Sequence, residues 1–195
     1  MRKAIIVAAL IAIISFTHTD GYSVGMRVGV KGGFNLTYYQ LSEYDNSSKL
    51  LGAGGGAFLD LIIVDLEMLG FGIEVDVMYQ KRDGEFFSGE ERIKYLGIPV
   101  ILKIHAMKNI VNFGVGINYQ QLQSAKYKSV TDNNIKDTNF EFVATIGFAY
   151  PIVPKVLITG DLRAYAGVLN VNKDSSYPFE TRSVDFMLGL GFSVF

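Results

Sequence analysis

From Met26 to Phe195 an apolar residue recurs at every second position in eight stretches, and the positions between are mostly Gly, polar or charged. A period of two puts successive side chains on opposite faces of a β-strand. In the clearest stretch Phe71, Ile73, Val75, Val77 and Tyr79 share one face, while Gly72, Glu74, Asp76, Met78 and Gln80 share the other. Such strands must hide the greasy face from water. A soluble barrel turns it inward, whereas a membrane barrel turns it to lipid and keeps a polar lumen.

The N-terminus favours export. Arg2 and Lys3 precede an apolar run from Ala4 to Ile14, and the chain then turns polar. The run is well short of the roughly 20 residues a spanning helix needs, so residues 1–23 are expected to be a signal peptide. Cleavage is expected between Thr17 and Val24. Residues 24–195 are then one barrel domain, with no linker composition inside them. The chain has no Cys, which excludes disulfides and thiolate metal sites. Its 18 basic and 19 acidic residues are interspersed, so no nucleic-acid partner is expected. Abundant Gly and aromatics, without a later long apolar run, suit a β-barrel better than a helical membrane protein.

The expected strands are Met26 to Tyr38, Leu51 to Leu61, Phe71 to Lys81, Arg92 to Ile104, Val111 to Gln123, Thr138 to Tyr150, Val156 to Val168 and Thr181 to Phe195. Arg82, Asp83 and Gly84 read as a turn closing the third strand, and His105 to Asn109 as a tight connection. Ile62 to Gly70 reads equally as a short helix or a hairpin extension. Pro99 cannot donate to a ladder, so a bulge or kink is expected there. Connectors after odd strands are polar and about nine to twelve residues long, while two of the three after even strands are roughly five. This asymmetry predicts an eight-stranded antiparallel up-and-down transmembrane barrel, with long loops outside and both termini periplasmic.

GVKGGFNL at Gly29 to Leu36 and YLGIPVILK at Tyr95 to Lys103 resemble the strand signatures of the PorT-like family of small outer-membrane β-barrels. The resemblance extends over the mature chain and implies the same fold and location. It brings no catalytic residues, and it implies an accessory part in protein secretion as one role. A terminal aromatic in phase with the apolar face is often an assembly signal in such barrels. Phe192 is in phase here and Phe195 is not, and the two are the candidates.

The polar parity gathers Arg27, Lys31, Lys103 and Arg163 with Asp60, Glu74, Asp76, Glu141, Asp161 and Asp185. Charges in so narrow a lumen must pair, because an isolated buried charge costs several kcal/mol or more. They are expected to form a salt-bridged plug, with a narrow pore or small-ligand transporter as the alternative. Catalysis is not expected: His105 is the one histidine left after cleavage, and a hydroxyl nucleophile needs an adjacent base. No metal and no cofactor are expected. The function expected is structural or surface interaction in the outer membrane of a Gram-negative-type bacterium, as a monomer. Its expected partners are outer-membrane lipid, lipopolysaccharide and an unidentified surface partner, with barrel-assembly machinery and periplasmic chaperones during biogenesis. An exported soluble, lipocalin-like binder of apolar ligands is the rival of another class. The clustered opposite charges and the absence of Trp weigh against it.

Overall fold

The computed structural model describes residues 25–41, 48–66, 68–86, 89–127, 130–131, 135–169, 171, 173 and 179–194. The expected signal peptide at 1–23 and the terminal Phe195 lie outside the described residues. Alternation produces eight long strands: β1 (Gly25–Leu41), β2 (Ser48–Leu66), β3 (Leu69–Phe86), β4 (Gly89–Ala106), β5 (Val111–Tyr127), β7 (Thr138–Val153), β8 (Val156–Gly167) and β9 (Phe179–Ser193). A two-residue strand, β6 (Val130–Thr131), folds back on the end of β5.

Each long strand pairs antiparallel with the next in the chain, β5 pairs with β7, and β1 pairs with β9. The wall is therefore closed and has no free edge along these ladders. The register shows how far the strands lean. A path of paired residues leaving β1 at Arg27 runs through Asp60, Glu74, Ile101, Gly116, Val143, Tyr165 and Ser183, and returns to β1 at Thr37. That is a stagger of ten residues around eight strands, which requires tilted strands and leaves an interior about wide enough for side chains.

The apolar parity points outward. Val30, Leu102, Val115 and Phe142 are each more than 60% exposed, while their polar neighbours Lys31, Lys103, Asn118 and Glu141 are buried. A lipocalin-like barrel would have the opposite arrangement, so that alternative falls.

Several boundaries differ from those expected. β3 does not turn at Arg82 but continues to Phe86, pairing Asp83 with Arg92 and Glu85 with Glu90. Residues with turn propensity are thus carried by a ladder already in register. Of the two readings of Ile62 to Gly70, the hairpin extension holds and the helix does not: β2 reaches Leu66 through a register shift between Ile62 and Val64, and β3 starts at Leu69. β4 runs through His105 to Ala106, so the tight connection is shorter than expected. Pro99 makes no bulge. The β3 ladder passes from Val75 with Val100 to Met78 with Gly97 in unchanged register, and the one irregularity in the β4–β5 ladder falls between Lys94 and Tyr95, where β5 carries the extra residue. A missing N–H interrupts the bonds on one side without requiring an extra residue.

Candidate functional site in the barrel lumen

Residues of one parity on every long strand project into the lumen, and they stack there in levels. The middle level is ionic. Glu74 on β3 accepts from three cations: Lys103 Nζ at 2.7 Å, Lys31 Nζ at 3.0 Å and Arg163 Nη2 at 2.6 Å. Asp161 lies 2.9 Å from Lys31 Nζ and 3.0 Å from Arg163 Nη2, and Arg163 Nη1 bonds Asp76. These six groups come from four strands, so the wall itself fixes their geometry. Each is at most 5% exposed. In so dry a place an unpaired charge would be severely penalised, and the mutual bonds remove that penalty. Lys31 also sits 4.4 Å above the Phe58 ring. Phe58 has room because Gly29 and Gly191 face it; a Cβ at Gly29 would lie 2.6 Å from the ring.

The next level toward the long-loop end centres on Arg82, which is fully buried. Its guanidinium lies 2.7 Å from Asp185 Oδ1 and 3.5 Å from Glu141 Oε2, bonds Ser183 Oγ, and stacks 4.6 Å from Tyr165. Asn118 Nδ2 and Thr181 Oγ1 donate to Glu141 at 2.9 and 3.0 Å. Gln80, Gln120 and Asn139 extend the network by hydrogen bonds across the lumen, Asn139 donating to Gln120, Gln120 to Gln80 and Gln80 to Asp185.

Beyond it the chemistry changes. Ile93, Tyr95, Ala125, Ile135 and Val171 form a buried apolar cluster, against which Leu122 packs. Ile135 and Val171 come from connecting segments, which are tied by Lys136 N–H donating to Val171 O at 2.8 Å.

At the opposite end Arg27 lies 3.8 Å from Asp60, and both its terminal nitrogens donate to the Asn109 carbonyl at 3.3 Å. Asn109 ends a turn in which Met107, Lys108 and Asn109 all have positive φ, a costly conformation for residues other than glycine. Asn109 Nδ2 donates to Asp65 at 2.8 Å, which helps hold that turn at this end of the barrel. His105 is fully buried, 3.4 Å from Asp60 Oδ1, and belongs to β4 rather than to the connection expected from His105 to Asn109. Gly72 makes the space, since a Cβ there would approach His105 Nε2 to 3.1 Å.

The structure therefore brings Lys31, Glu74, Asp76, Lys103, Asp161 and Arg163 into one cluster. It joins Glu141 and Asp185 through Arg82, and sets Arg27 and Asp60 at the short-turn end. Arg82 and His105 were missed as lumen groups, although both are in phase with charged lumen residues on their own strands. Phe192 lies outside, 47% exposed, among lipid-facing residues.

A closed wall, apolar outside and ionic inside, defines a transmembrane β-barrel. The chain belongs to the outer membrane protein beta-barrel domain family, whose model matches residues 6–192, and its place is the bacterial outer membrane. Two solved barrels share the fold. Neisserial surface protein A (NspA) is 14% identical with a TM-score of 0.53, covering 87% of this chain and 98% of its own. The outer membrane protein OprG from Pseudomonas aeruginosa is 15% identical with a TM-score of 0.50, covering 89% of this chain and 97% of its own. At such identities the likeness concerns the fold alone. No curated protein matches the chain.

Proposed function

We propose that this barrel is a closed, non-catalytic wall element of the outer membrane that acts through its surfaces rather than by conducting solutes. One observation carries the reading: the lumen is filled by side chains level after level, ion-paired in the middle and apolar toward the long-loop end. The cavity among Arg27, Asp60, Lys103 and Asn112 in its inner half measures about 10 Å³, room for a single water. The absence of catalysis has its own support. Neither ring nitrogen of His105 has a hydrogen-bond partner, so no described hydroxyl is placed for activation by it.

In this reading residues 1–23 are removed on export and both termini face the periplasm, as the long polar connectors on the opposite side suggest. The chain is a monomer after assembly, with Phe192 and Phe195 serving recognition by the assembly machinery and its chaperones. The loops meet the surface partner. The PorT-like strand signatures favour an accessory place in secretion over a role in uptake.

Ion flux tests the proposal. Vesicles holding the refolded protein and a potassium gradient are expected to retain it as protein-free vesicles do. Protein-dependent collapse of the gradient would favour the narrow-pore alternative.

A further inference from the structure

The outward face of β5, β7, β8 and β9 carries a recess of about 470 Å³ toward the long-loop end of the wall. Its floor is the backbone between two outward rows, and its depth comes from Ala144, Ala164 and Ala166, which offer only methyl groups beside the prominent Phe142. One outward-facing cation, Arg182, closes it. Arg182 pairs with Ala166 across β8 and β9, is partly buried, and lies between the lumen residues Thr181 and Ser183, so it faces the exterior. Its buried Nε has no hydrogen-bond partner among the described residues.

A guanidinium with an unbonded Nε beside hydrocarbon is costly, and the cost falls when an anion joins it there. Guanidinium suits phosphate because it donates two parallel bonds in a fixed fork. The apolar recess next to it suits a hydrocarbon chain. We infer that the recess and Arg182 together bind one acylated, phosphorylated glycolipid of the lipopolysaccharide type, an acyl chain lying in the recess and a phosphate on Arg182. This rests on the reading above that the long-loop end faces outward, where the outer leaflet supplies such a lipid. A second outward groove, of about 520 Å³, is lined by Phe71, Leu102 and Phe113. The lysine beside it, Lys103, turns into the lumen, so that groove has no phosphate partner among the described residues.

Native mass spectrometry of the refolded full-length protein in detergent tests the site, with diphosphoryl lipid A, its dephosphorylated form and phosphatidylglycerol as probes. Wild type is expected to retain one diphosphoryl lipid A. Arg182→Gln is expected to weaken binding about tenfold, the value of a bond to a charged group. Ala164→Phe, which fills the recess, is expected to weaken it comparably, and the dephosphorylated probe is expected to bind wild type as weakly as lipid A binds Arg182→Gln. Leu102→Phe in the other groove leaves affinity unchanged. All three variants keep heat-modifiable gel migration and an ion-tight lumen, so failure here is distinguishable from failure of the closed-barrel reading. Equal affinity of wild type and Arg182→Gln would overturn the inference. So would phosphatidylglycerol binding as tightly as lipid A with the same dependence on Arg182.

Discussion

The middle of the lumen and its long-loop end are closed by opposite means. In the middle, cations and carboxylates on strands paired around the whole wall bond one another, and Glu74 alone receives Lys31, Lys103 and Arg163. At the long-loop end Ile93, Tyr95 and Ala125 meet Ile135 and Val171 with no ion pair among them. The ionic level needs fixed geometry, because a buried charge that moves away from its partner loses the pairing but keeps its desolvation cost. Rigid strands supply that geometry. The apolar cluster tolerates looser placement, since burial is not directional, and it is the part to which connecting segments contribute, through Ile135 and Val171.

This contrast predicts unequal responses to substitution. Arg163→Met strands Glu74, Asp76 and Asp161 with fewer cations and is expected to cost about 3 to 5 kcal/mol, read as a lower urea midpoint for loss of heat-modifiable migration. Ile93→Ala in the apolar cluster is expected to cost about 2 to 3 kcal/mol by the same measurement. If it matched Arg163→Met, the two levels would not differ in kind. Asp60→Asn removes a longer and less buried pairing with Arg27 and is expected to cost about 1 kcal/mol. Raising salt to about 1 M is expected to shift the wild-type midpoint by less than about 0.5 kcal/mol, because buried pairs are poorly screened. A large salt-induced loss would mean that ions reach the middle level.

Much of this was legible in the alternation. Parity assigns Lys31, Glu74, Asp76 and Arg163 to one face of the wall without any knowledge of pairing. Arg82 was hidden because Arg82, Asp83 and Gly84 have strong turn propensity, and only the long ladder with β4 shows that they remain in the strand. His105 was hidden for the same reason, at the other end of that hairpin. Phase was the usable signal in both cases: Arg82 follows Gln80, and His105 follows Lys103, at intervals of two. The apolar cluster had no local signal. Ile135 and Val171 are single apolar residues in polar connectors, and their meeting depends on contacts between segments far apart in sequence.

Single-channel recording in planar bilayers tests the central claim, that packed lumen side chains, ionic in the middle and apolar at the long-loop end, close the barrel. The closed barrel predicts a baseline without reproducible steps for wild type at moderate voltage. Stable, ohmic steps of constant size from the purified wild-type protein would contradict it.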